Sequence, residues 1–169
     1  MLAKAYKLFF SPRGRIARPA FIAGIAALLV FAALQKLVFA RLGTGMVSFY
    51  VPMVLFFVTF HIVLCIYGKR LHDLGRSLWP LTGLFALMII VAILVSLNYG
   101  GLEYFDTVMA HPEYAGDEAA MKRVQQVYQD KLAASMPKVR WLMAALPALF
   151  TLWLAASPGA AGDNKYGPA

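Results

Sequence analysis

Cysteine is nearly missing from this chain: Cys65 is the only one in 169 residues, and it lies inside an apolar run. That excludes a disulfide framework and a zinc-ribbon set of paired cysteines. Charge is scarce too, at 14% of residues, and carboxylates are the scarcer sign, eight against sixteen lysines and arginines. In their place stand apolar side chains, 61% of the chain, with a mean hydropathy of +0.67. That share exceeds what an ordinary soluble domain carries and points to a membrane protein.

Three apolar runs, Ala20–Ala40, Met46–Tyr67 and Leu78–Leu97, are each long enough to cross ~30 Å of hydrocarbon at ~1.5 Å per residue. A fourth, Trp141–Ala156, is marginally short. The first follows a basic stretch, as a signal peptide would, and Val38-Phe39-Ala40 faintly resembles a cleavage site. It is, however, longer than the ~7–15 residues of a signal h-region, and three more runs follow, so a retained anchor is expected. The expectation is an all-α polytopic membrane protein, residues 1–169 forming a single domain of four transmembrane helices, with residues 98–140 as an extramembrane insertion.

Lysine and arginine set the orientation. Lys4, Lys7, Arg13, Arg15 and Arg18, a central island carrying Lys69, Arg70 and Arg76, and Lys165 in the tail are opposed only by Asp73 and Asp163, which leaves that side at +7. On the other side Lys36, Arg41, Lys122, Arg123, Lys131, Lys138 and Arg140 meet Glu103, Asp106, Glu113, Asp117, Glu118 and Asp130, a balance of +1. Both termini and the island are therefore expected in the cytoplasm, with residues 98–140 in the periplasm. The isoelectric point of about 9.8 then reflects topology and gives no reason to invoke nucleic acid.

Taken in order, Lys4, Tyr6, Lys7, Leu8, Phe9 and Phe10 suit a short helix in the headgroup region, or a plain basic flank. Pro12, Gly14 and Pro19 make the next segment a turn, in which Arg15 and Arg18 can grip an anion together. The second run holds the polar residues Thr59, His61 and Cys65. If its helix continues into the island, His61, Cys65, Gly68 and His72 share one face. A histidine inside a membrane is a functional candidate, and His with Cys four residues on can offer two metal ligands. No set of three or four is visible, so no metal or cofactor is expected, and the plainer reading is an imidazole bonded to a neighbouring segment. In the insertion, Asp117 and Glu118 open and Pro137 closes a helix over residues 117–136, with Met121, Val124, Tyr128 and Leu132 as an apolar stripe. That helix is expected to lie on the bilayer, cap the other helices or bind a partner.

Lys69-Arg70-Leu71-His72-Asp73-Leu74-Gly75-Arg76-Ser77-Leu78-Trp79 resembles the R-R-L-H-D-x-G-K-S-G-W-W motif of a bacterial inner-membrane family, the domain of unknown function 805. Phe10 to Arg18 is similar to that family's F-x-G-R-x-x-R entry segment with one extra residue, and Gly162 to Pro168 to its G-x-N-x-Y-G-x tail. Lys69 stands in place of the first arginine, Leu78 of the glycine and Pro80 of the second tryptophan. The resemblance implies a four-helix bacterial inner-membrane protein and supplies no activity.

The three blocks, residues 10–18, 68–80 and 162–168, all fall on the expected cytoplasmic side and are expected to meet in one basic face. Arg13, Arg15, Arg18, Lys69, Arg70 and Arg76 supply cations there, His72 and Asp73 can titrate or hydrogen-bond, and Asn164 and Tyr166 are neutral and polar. Several readings stand. The residues staple the helices together within a non-enzymatic scaffold or accessory subunit, whose partner is a membrane protein or a second copy. Alternatively the face binds anionic phospholipid or a small anion. Transport has a thin polar path, and an enzyme lacks a catalytic constellation, because adjacent His72 and Asp73 point about 100° apart on a helix.

Overall fold

The computed structural model describes residues 2–167, with the Lys4 side chain and Pro168 of the tail block outside the described set. Six α-helices follow one another: α1 Leu2–Phe9, α2 Arg18–Arg41, α3 Met46–Asp73, α4 Trp79–Ser96, α5 Leu102–Ala110 and α6 Glu118–Ala156. No strand occurs among the described residues; the tail holds one isolated bridge between Asn164 and Gly167. Four helices, Arg18–Arg41, Met46–Asp73, Trp79–Tyr99 and Glu118–Ala156, are long and apolar enough to cross a membrane. Along them Phe49, Phe56, Phe57, Ile89, Ile93 and Leu149 stand exposed, as side chains facing hydrocarbon do.

Two compact units divide the chain. The first runs to Leu81 and resumes at Leu152. Pro19 lies in the first turn of α2, where its missing N–H costs nothing. At α2's far end the tight turn reaches Gly45, whose φ of +131° is open to glycine. α2 and α3 then pack closely: a side chain at Gly24 would begin 3.3 Å from Ile66, and Phe21 meets Tyr67 edge-on at 5.5 Å. Gln35 Nε2 donates to Thr59 Oγ1 at 2.8 Å, and Thr59 donates to Leu55 O, so each polar group in this apolar zone has a partner. Past Tyr67, where the apolar run ends, α3 continues to Asp73, so the first half of the basic island is helical. Gly75, at φ +70°, then turns the chain towards α4.

The second unit spans Thr82–Thr151. α4 widens into a π-turn over Leu97–Gly101, where a side chain at Gly101 would come 2.7 Å from Ser96 O. α5 follows, then a 3-10 turn Pro112–Gly116, in which Glu113's own backbone N–H and then the His111 ring hold the Glu113 carboxyl below its usual range. Asp117 Oδ1 caps α6 by accepting from Ala119 N and Ala120 N at 2.9 and 3.1 Å.

One expectation fails here. Pro137 does not close a helix over 117–136; α6 runs unbroken from Glu118 to Ala156, through both Pro137 and Pro147. Continuing past a proline forfeits one hydrogen bond and costs about 3 kcal/mol. Stopping would leave several carbonyls and N–H groups unpaired, and helix formers such as Ala133, Ala134, Leu142 and Met143 flank the site. The fourth run therefore belongs to a helix of 39 residues, roughly 58 Å long at ~1.5 Å per residue.

Candidate functional site

All three polar blocks meet in the first unit, around the C-terminal end of α3. Arg70 is fully buried and Lys69 is 2% exposed. The Arg70 guanidinium bonds Asp73, one turn along the helix, and donates to Leu154 O at 3.0 Å, Ser157 O at 2.6 Å and Ile16 O at 3.5 Å. From the N-terminal turn, Arg15 NH2 reaches the other oxygen of the Asp73 carboxylate at 3.3 Å. One carboxylate thus bridges two arginines that lie 55 residues apart in sequence. This geometry satisfies Asp73 and leaves positive charge in excess.

Arg15 gathers the tail. Its guanidinium donates to Ala160 O at 2.9 Å, Gly162 O at 2.8 Å and Gly167 O at 3.2 Å, and Arg18 donates to Ala156 O at 3.0 Å. The tail in turn donates from Ala160 N to Asp73 O at 2.8 Å and from Asn164 Nδ2 to His72 O at 2.9 Å. Asn164 Oδ1 accepts from Tyr166 N, a local turn that holds the Tyr166 ring flat against His72 at 3.9 Å. Gly159 lies so close that a side chain there would begin 2.5 Å from Asp73 Oδ2. Arg76 stands over the Trp153 ring, 5.2 Å from its centre.

The N-terminal segment runs along the face of α3 that the helical spacing marked. His61 Nε2 donates to Phe10 O at 3.2 Å, with Cys65 Sγ 3.5 Å away. Lys69 Nζ takes the carbonyls of Lys7 and Leu8, two of those that the end of α1 leaves unpaired. His72 Nδ1 donates to Gly14 O at 3.3 Å. Between α1, α2 and α3 lies an apolar cavity of about 250 Å³ lined by Phe9, Phe10, Ala27, Leu28, Phe31 and Ile62.

Of the expected site residues, Arg15, Arg18, Lys69, Arg70, His72, Asp73, Asn164 and Tyr166 form one connected set, and Arg76 flanks it. Arg13 is exposed and stands apart. Thr59 pairs within the apolar zone, while His61 and Cys65 belong to the α1 attachment. No cluster of three or more histidines, cysteines or carboxylates fit for a metal occurs among the described residues. Residue types did not foretell the acceptors, because Leu154, Ala156, Ser157, Ala160, Gly162 and Gly167 contribute only backbone carbonyls.

The fold and this knot define a class: an all-helical membrane protein whose N-terminal segment and tail are tied together at one polar site. The family described as "Protein of unknown function (DUF805)" matches residues 9–168, nearly the whole chain, and the chain belongs to it. No curated protein and no solved structure matches.

Proposed function

We propose that this chain is a non-enzymatic scaffold or accessory subunit of the bacterial inner membrane, with both termini in the cytoplasm and a membrane protein or a second copy as partner. The observation carrying this reading is that the polar site is spent on the chain itself. Arg15, Arg18, Lys69 and Arg70 donate to internal carbonyls or to Asp73, which suits a docking platform better than an open catalytic cleft. Meeting of the N-terminal segment and tail at one end agrees with an even number of spans, and the +7 against +1 balance favours the cytoplasm for that end.

Purification in a mild maltoside detergent with mass spectrometry of what co-purifies tests the role, and a C-terminal reporter tests the orientation. A partner or second copy at fixed stoichiometry is expected, together with cytoplasmic readout. A monodisperse monomer without partners would overturn the scaffold reading, and a periplasmic readout would overturn the threading. Transport has weaker support, because Gln35, Thr59 and His61 are bonded to one another or to backbone.

A further inference from the structure

We propose that the Arg15 end of the arginine knot is a phosphate-binding site covered by the chain's own tail, so that displacing residues 158–167 exposes it to a phosphate group. The proposal extends beyond the scaffold role and does not depend on it. Its first support is charge. Arg15 and Arg70 present two guanidiniums to a single carboxylate, Asp73, and the other acceptors they hold are neutral carbonyls. Carbonyls satisfy N–H groups without cancelling the charge, and buried charge without a counter-charge is costly. A phosphate supplies both acceptors and negative charge, in the paired geometry that guanidinium matches.

The second support is an orphan donor. The Arg15 side chain is only 5% exposed, and its Nε is buried with no hydrogen-bond partner. The tail satisfies both terminal nitrogens of this guanidinium and misses the third. Such a group has room for an acceptor from outside the chain, a water or an anion alike.

Third, the tail is the most easily released part of the knot. Pro158, Gly159, Ala161, Gly162 and Asp163 are exposed, and Gly162 and Gly167 sit at φ +78° and +129°. The Asn164 side chain, the Tyr166 ring and several backbone atoms hold it to the knot. A segment held by a handful of polar contacts and little apolar burial opens at low cost. When residues 158–167 lift away, Arg15 loses Ala160 O, Gly162 O and Gly167 O together and is free to turn outward, while Arg18 keeps Ala156 O and Arg70 keeps Leu154 O and Ser157 O. The phosphate can belong to a phospholipid headgroup or to a soluble phosphate.

The test uses the full chain in maltoside micelles, which contain no phosphate. Trypsin cleavage after Lys165 reports tail release. Inorganic phosphate, at ionic strength matched with chloride, is expected to accelerate that cut, and so are mixed micelles containing phosphatidylglycerol. A response to inorganic phosphate assigns a soluble ligand, and a response to phosphatidylglycerol alone assigns a headgroup. Gly159→Ala, whose new methyl meets Asp73, should loosen the tail and tighten inorganic phosphate binding in calorimetry by about tenfold if the open state is ~10% populated at rest. Arg15→Gln added to that variant should remove the gain. Cleavage unchanged by either phosphate source would overturn the proposal, and that readout needs no variant to fold. Retention of the gain after Arg15→Gln would also overturn it.

Discussion

The two units handle charge in opposite ways. In the first, Arg15, Arg70 and Asp73 are nearly or wholly withdrawn from solvent and joined across up to 152 positions of sequence. In the second, the ion pair between Lys131 and Glu103 leaves the two side chains 48% and 66% exposed, and the pair of Lys122 with Glu118 is more exposed still. A buried pair is held by the penalty for breaking it, whereas an exposed pair contributes little either way. Charge therefore organises the first unit and merely decorates the second. What joins α4, α5 and α6 in the second unit is ring and hydroxyl contact, such as Tyr104 with Tyr128 at 5.7 Å and Ser96 with the Tyr128 hydroxyl at 3.1 Å.

Substitutions can break or sharpen this contrast. The largest effect is expected for Asp73→Ala, which strands two buried guanidiniums; a loss of about 3–5 kcal/mol should appear as a sharp drop in the thermal midpoint in detergent. Lys69→Met should remove the cation holding Lys7 O and Leu8 O, at about 1.5–3 kcal/mol. Hydrogen exchange should then quicken over residues 2–10 and stay unchanged over 102–110. Gly68→Ala places a methyl 2.9 Å from Leu78 Cδ2, the end of a 43% exposed side chain that can turn aside, so a cost of about 1 kcal/mol at most is expected, again read as a midpoint shift. The smallest effect belongs to the second unit: Glu103→Gln should change stability by under ~1 kcal/mol and become silent at high salt. A Glu103→Gln loss as large as that of Asp73→Ala would dissolve the distinction.

Most of the helical plan was legible because apolar run length is a direct consequence of bilayer thickness. The meeting of residues 10–18, 68–80 and 162–167 was legible too, since the charge count put those blocks on one side and the spacing of His61, Cys65, Gly68 and His72 marked the face they use. Two things were hidden. Pro137 reads locally as a stop, yet the alternative to continuing α6 is a set of unpaired backbone groups, a cost that no single residue displays. The openness of the basic face was the other. Arg15 and Arg70 have the side chains of an anion site, and apart from Asp73 their actual acceptors are backbone carbonyls, which every residue type carries.

The reach of Arg15 to Gly167 also sets an order of events during synthesis. At about 5–20 residues per second, roughly 8–30 s separate the emergence of Arg15 from that of its last acceptor, residue 167. Until then the Arg15 guanidinium lacks the carbonyls of Ala160, Gly162 and Gly167 that it holds in the finished fold. A copy whose translation stalls before residue 156 would lack every tail carbonyl that Arg15, Arg18 and Arg70 hold at positions 156–167.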